Sequence, residues 1–400
     1  MQKFSREEQL LLEISRLELS PQNLTDIQNI LQNKLDWNQL LKTAQNNGVV
    51  GLLYFHLRNF SKQVPLQILE QLAKIAYMIG FYNLNLFQQL KIILMALKEK
   101  QLPIMLFKGA FLIEHVFKDL TLRHMGDLDI LIHKKDFYCI DEVLTALGFT
   151  ALEHDYPKEA FGVLRNIAYV KDDLRLDLHW HLLENNSPFN IDLENLWAKS
   201  RTATIAGCDV SVLSLEDLIV FLCLHGIYNH YMSIGLKCFC DIGEVVGCYC
   251  HEINWGNLIV CAINYRMAFI VLTGLQLTEK LFPGEIPPEV LKKLEAQCSK
   301  RQMRWLQTAG ENFLIANDNK TMETSIRLKM LTNSKNKMQL IYSIVFPPLN
   351  QLAYQYSFPQ NSIPGYLKFW PEYLGGCLNK IVKRIYRKCS YLIYQVLSAQ

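Results

Sequence analysis

The chain has 400 residues, 50% hydrophobic and 20% charged, with a formal net charge of +3. This is a globular composition with ample core material for two or three domains, and so small a net charge excludes a molecule-wide affinity for polyanions. The 11 cysteines, odd in number and scattered, argue for reduced thiols and against a disulfide framework.

The first residues, Met1-Gln2-Lys3-Phe4-Ser5-Arg6-Glu7-Glu8, lack the basic-then-apolar order of a signal peptide. No uncharged apolar run reaches the roughly 20 residues of a membrane-spanning helix. Residues 218–224 are too few, and 258–277 are interrupted by Asn264 and Arg266. A cytoplasmic location is the resulting expectation.

Residues 1–100 read as helical. One helix begins near Trp37. The clearest covers 86–100, where Leu86, Phe87, Leu90, Ile93, Leu94 and Leu97 follow a 3.6-residue period. The texture changes at Pro103. Residues 104–107 form a short apolar run that reads as a buried strand, closed by Lys108-Gly109, and a helix is expected over 110–118. The segment Gly126-Asp127-Leu128-Asp129-Ile130-Leu131-Ile132 alternates as a half-buried strand does. A second helix is expected over 137–147, with Asp136 as N-cap and Gly148 as its stop. Further strands are expected over 149–152, 165–170 and 174–178, with Asp172-Asp173 as the hairpin turn between the last two. The order β-α-β-α-β-β-β describes a small mixed sheet with helices on one face.

After Trp180 the pattern returns to helices. Ser214-Leu215-Glu216-Asp217 resembles a capping box ahead of a helix over 218–231. Further helices are expected over 236–246, 255–277 and 288–314. Four thiols cluster as Cys238-Phe239-Cys240 and Cys248-Tyr249-Cys250. Positions two apart diverge on a helix, so these read as free core cysteines in preference to a zinc site. From Thr321 onward there are ten Lys/Arg against two acids, with a dense stretch over 380–388. That tail reads as a solvated helix face, or as a weak contact to an anionic surface; nothing points strongly to nucleic acid. The expected class is α+β: a helical domain over 1–100, a mixed-sheet core over 101–185, a helical domain over 186–320 that completes a cleft, and a basic helical tail over 321–400.

Three carboxylates stand out. Residues two apart on a strand share a face at roughly 7 Å, which puts Asp127, Asp129 and Leu131 together. Around Asp177 the same alternation groups Arg175, Asp177 and His179. Two neighbouring strands would gather three acids on one sheet face, an arrangement normally relieved by a divalent metal, most often Mg²⁺ (or Mn²⁺) in phosphate chemistry. Gly109 ends a strand and opens a helix, where backbone N–H groups can approach a phosphate. Lys108 and Arg123 are cations suited to a leaving pyrophosphate. Lys108 also reads as a solvated strand-end cation, and Arg123 as a structural partner of Asp127 or Asp129.

The strand-Lys108-Gly109-helix unit, Arg123-His124-Met125-Gly126-Asp127-Leu128-Asp129 and Asp177-Leu178-His179-Trp180 together resemble the uncharacterised nucleotidyltransferase family of the DNA polymerase β-like superfamily. The resemblance covers roughly residues 35–255, including Trp37, His225 and Asp241. It implies a minimal nucleotidyltransferase fold, an NTP donor, metal binding by Asp127 and Asp129, a third acid in Asp177, and a nucleotide loop at Gly109. It also brings His179, His225 and Asp241 to the site; the residues alone allow His225 and Asp241 to be core polar groups. The superfamily usually has Gly or Ser after that glycine. Here Ala110 follows, which offers a backbone N–H but no hydroxyl.

The function expected is transfer of a nucleoside monophosphate from an NTP to a small molecule, a peptide natural product or a protein side chain. A metal-dependent glycosyltransferase is disfavoured because only one strand precedes the Asp-x-Asp. A non-catalytic module retaining the fold is the alternative that Ala110 favours.

Overall fold

The computed structural model describes residues 4–152, 164–183, 187–230 and 235–309, with a few positions between 338 and 375. The basic stretch over 380–388 lies outside the described residues.

The chain opens with four short helices: α1 (Arg6–Ile14), α2 (Pro21–Leu31), α3 (Trp37–Asn46) and α4 (Val50–Leu57). The first three start on side-chain caps. Ser5, Ser20 and Asp36 each accept from a backbone N–H three residues on, satisfying a donor that the helix itself cannot. Helix α5 (Leu66–Glu99) runs for 34 residues, far beyond the 15 read from periodicity. Its buried stripe continues upstream through Ala76, Gly80 and Asn83 into Leu86 and Leu90. Exposed Tyr77, Met78 and Phe81 obscure that stripe in the sequence.

Seven strands form one mixed sheet: β1 (Ile104–Leu106), β2 (Leu128–Ile132), β3 (Thr150–Ala151), β4 (Asn166–Lys171), β5 (Leu174–His179), β6 (Arg201–Ile205) and β7 (Cys208–Val212). Their order is β3-β4-β5-β2-β1-β7-β6. At its centre β2 runs parallel to β5 and antiparallel to β1. The turn between β4 and β5 is Asp172-Asp173 as expected, with Lys171 opposite Leu174 and Asp172 at φ +52°. Gly148 stops α7 (Phe137–Ala146) at φ +85°.

Several expectations are corrected. Residues 201–212 are a β-hairpin and not helix, and β7 pairs with β1, so the sheet extends beyond the core read from the sequence. Strand β2 is buried on both faces. Asp136 occupies the N-cap position of α7, but its side chain makes no cap bond, because a short 3₁₀ turn (Lys134–Asp136) leads into the helix. The helix expected over 255–277 is two, α11 (Trp255–Asn264) and α12 (Ala268–Leu281), parted at Arg266, whose φ of +60° cannot continue a right-handed helix.

The remaining helices are α6 (Gly109–Phe111), continued by a π-helical turn (Leu112–Phe117), α8 (Leu193–Ala198), α9 (Leu215–Cys223), continued by a π-helical turn (Leu224–Asn229), α10 (Leu236–Tyr249), α13 (Pro288–Glu295) and α14 (Lys300–Ala309). The pair α13 and α14 replaces the single helix expected over 288–314, of which 310–314 lie outside the described residues. Ser214 caps α9 through the N–H of Asp217.

The described residues within 4–152, 165–183, 189–230 and 235–309 belong to one compact unit. Among the described residues, no helix is long and apolar enough to cross a membrane.

Candidate active site

The pairing of β2 with β5 sets the site. Asp129 is the direct register partner of Asp177, and Leu131 of His179. Asp127 lies one residue ahead of β2, beside the same pair. One oxygen each from Asp129 and Asp177 and one nitrogen of His179 lie within 4.8 Å of one another. Asp129, Asp177 and His179 are buried.

Each of the two strand acids has a basic partner. Lys108 Nζ lies 2.8 Å from Asp129 Oδ2, and His179 Nε2 lies 3.0 Å from Asp129 Oδ1. Burial works to raise the Asp129 carboxyl, but Lys108 and His179 outweigh it and hold it well below the usual carboxylate range. Arg175 binds Asp177 through Nε at 2.9 Å and Nη2 at 3.3 Å. Asp127 is pushed the other way: burial and then the neighbouring Asp129 charge raise it. Three acids held this close repel one another, the condition a divalent cation relieves. The donor set fits such an ion, with hard carboxylate oxygens and one imidazole. His179 Nδ1 is buried without a hydrogen-bond partner.

Lys108 sits at φ +61°, ψ −120°, a strained conformation for a residue with a side chain. Its Nζ lies over the rings of Phe107 and Phe221, at 5.6 and 5.9 Å from their centroids. Gly109 follows. A Cβ there would meet Met125 Sδ at 2.6 Å, so the packing of the Asp127 loop against Gly109 is what excludes a side chain.

Arg123 does not pair with Asp127 or Asp129. Its Nε and Nη2 bind Asp241 Oδ1 and Oδ2 at 2.6 and 2.7 Å, a buried bidentate pair linking the loop to α10. His225 lies on the π-helical turn after α9, stacked on Phe221 and edge-on to His230 with centroids 4.3 Å apart. Burial, then the Lys108 charge, pulls His225 well below the usual imidazole range.

Two residues were not among the candidates read from the sequence. Lys237 donates from Nζ to the carbonyl of His124 at 2.7 Å, and burial pulls it down to about 8. Its neighbours along the chain gave no signal of this role. Asn83, fully buried in α5, donates to the carbonyls of Leu120 (2.7 Å) and Arg123 (2.8 Å) and accepts from the N–H of Met125 (3.1 Å). A polar residue inside the apolar stripe of α5 was the signal for it. The loop over 119–125 also presses on α4 and α5 at Gly51 and Gly80, where a Cβ would collide with Leu122 and Thr121. The N-terminal helices therefore fix the loop that delivers Asp127.

Two solved structures are similar over part of the chain. The solution structure of the antibiotic-resistance factor ANT(2'')-Ia is 16% identical at a TM-score of 0.34, covering 48% of this chain and 98% of that one. The crystal structure of ANT(2'')-Ia in complex with adenylyl-2''-tobramycin is 16% identical at 0.33, covering 46% and 97%. At such TM-scores the likeness decides nothing about the chemistry of this chain. No curated protein matches it. The profile of a family described as uncharacterised nucleotidyltransferase matches residues 33–283, more than half of the 400 and all of the sheet and the site. The chain belongs to that family.

Proposed function

We infer that the protein transfers a nucleoside monophosphate from an NTP to an acceptor hydroxyl, with magnesium or manganese as its metal. The observation that carries this reading is the Asp129–Asp177 register pair with Asp127 just ahead of it. Asp127, Asp129 and Asp177 would hold the ion, with His179 at its side; when bound, the ion neutralises phosphate charge and orients the reacting phosphorus. Asp177 takes the acceptor proton as the new O–P bond forms at the α-phosphorus. The bond between the α- and β-phosphates breaks, and its electron pair leaves with pyrophosphate. Lys108 and Lys237 face the charge that develops, and Gly109 keeps the backbone beside Lys108 accessible. His225 lines the Lys108 side, and Arg123 with Asp241 holds the loop in place. We assign this chemistry to the cytoplasm, where NTPs are available and thiols stay reduced; all the described cysteines are free.

The test follows label from each NTP, with magnesium or manganese, in wild type, Asp127→Ala and Asp129→Ala. Label on the protein identifies protein nucleotidylation. Pyrophosphate release only with an added acceptor identifies a small molecule or peptide. Wild type that neither turns over nor binds any NTP overturns the reading. Asp177→Asn, which removes charge without volume, should keep the fold and lower turnover by about 100-fold or more; unchanged turnover removes Asp177 from the site.

A further inference from the structure

Helix α5 is apolar on two opposite faces. One face, through Leu72, Ala76, Leu86, Leu90 and Leu97, is buried against the rest of the chain. On the other, Met78, Phe81, Ile92 and Met95 are 62%, 68%, 44% and 51% exposed. Single exposed apolar side chains are ordinary on a protein surface; a line of them along one helix face marks an interaction surface. Their spacing carries more information than their exposure. Together with Lys74, Asn85, Gln88 and Glu99 they occupy positions 74, 78, 81, 85, 88, 92, 95 and 99, where steps of four and three alternate without a break. That is the period of a coiled-coil seam. At 1.5 Å per residue it runs for roughly 38 Å. Lys74, Gln88 and Glu99 are exposed and Asn85 is half-buried, so the whole seam faces outward.

The order of residues along the seam says what fits it. Taken from its two ends towards its middle, the seam matches itself: Lys74 with Glu99, Met78 with Met95, Phe81 with Ile92, and Asn85 with Gln88. Each pair is centred on the Leu86–Phe87 bond. A two-fold contact between identical chains requires this symmetry, because a residue i that meets j must also be met as j by i. Opposite charges close the ends, apolar side chains fill the layers between them, and two amides hold the centre, where a polar pair fixes register at some cost in stability. The flanking positions agree. Lys91 comes beside Leu84 and Lys98 beside Tyr77, where a lysine stem covers apolar surface, and no like charges are opposed. Parallel pairing in register would instead set Lys74 on Lys74 and Glu99 on Glu99.

We propose that α5 is the interface of a homodimer, packing antiparallel on α5 of a second copy in the register that sets Lys74 of each chain against Glu99 of the other. This inference stands apart from the transferase reading, since it uses the face of α5 that is turned away from the sheet.

Sedimentation velocity on the full chain tests it. Wild type should form a reversible dimer that is populated below about 100 μM. Phe81→Glu/Ile92→Glu places two charges in the apolar layers and should weaken association at least about 100-fold. Both positions are exposed in the single chain, so its melting by circular dichroism, read at a concentration where wild type is monomeric, should not change. Lys74→Glu and Glu99→Lys each oppose like charges and should each weaken the dimer by about three- to tenfold at low salt. The two combined restore opposite charges and should return the dissociation constant to that of wild type. Singles that weaken and a double that recovers support the antiparallel register, since parallel pairing leaves the singles no worse than wild type. A wild type that is monomeric at 100 μM overturns the proposal and gives the face to another segment of this chain or to a different protein. A dimer that survives Phe81→Glu/Ile92→Glu, or one indifferent to both single charge reversals, overturns it as well.

Discussion

Arg123 and Asp241 show how one pair decides between support and chemistry. Both are buried, and the guanidinium spends two of its N–H groups on one carboxylate. Removing one partner leaves a charge in the interior without compensation, whereas removing both leaves an apolar gap. Arg123→Met and Asp241→Leu should therefore each cost about 3–5 kcal/mol, and the double variant should recover most of that loss. Chemical denaturation of the four proteins measures the cycle. On the reading that the pair holds the loop, turnover of the double variant should recover with its stability. Recovered stability with turnover still lost would place Arg123 at the phosphates.

The loop over 119–125 is an element without regular structure, and α5 supplies its order. Asn83→Ala would leave two carbonyls and one N–H buried and unpaired. Each such group costs about 1–3 kcal/mol, so a loss of about 3 kcal/mol or more is expected on denaturation. The surviving enzyme should need more magnesium for half-maximal turnover, since Asp127 follows that loop. Gly80 tests the same contact sterically. Alanine normally stabilises a helix interior by about 0.5–1 kcal/mol over glycine. Here a Cβ would lie 2.8 Å from Thr121 Cγ2, so Gly80→Ala should destabilise by about 1–3 kcal/mol instead. Thr121→Ser removes that methyl and keeps the hydroxyl that donates to Asp119. The double variant should then melt at or above wild type, and calorimetry reads the order. Sequence patterning made the acid-bearing strands legible because Leu128, Ile130, Leu176 and Leu178 alternate with polar residues. It hid the upstream half of α5 because exposed Tyr77, Met78 and Phe81 blur the stripe. The β6–β7 hairpin carried a signal, Ala206-Gly207 at φ +52° and +76° between alternating residues, but Thr202 and Thr204 gave it little apolar contrast. The Arg123–Asp241 and Lys237–His124 contacts join residues over a hundred positions apart, and no local pattern encodes them.

At the scale of the molecule, the first helices and α10 hold one another across the whole sheet-bearing segment of sequence. Glu244 accepts from the N–H of Leu17 at 2.7 Å, across 227 residues. Burial pushes this carboxyl from the ordinary 4.5 up to about 7, with the Leu17 bond and Arg16 opposing the rise. The sign of the stability effect follows from proton counting. Between those two values the folded chain holds a proton that the unfolded chain has released, so stability falls as pH rises through that window. The shift corresponds to about 3 kcal/mol, present in full below the lower value and lost above the upper one. Glutamine keeps an oxygen for the Leu17 N–H and cannot ionise. Glu244→Gln should therefore be more stable than wild type at pH 8 and no more stable at pH 4.5. Denaturant titrations of both proteins across that range give the difference free of every other titrating group. A difference that stays constant with pH would mean that Glu244 is charged in the fold at neutrality, and that its contact with the first helices is an ordinary ion–amide bond with no proton bound.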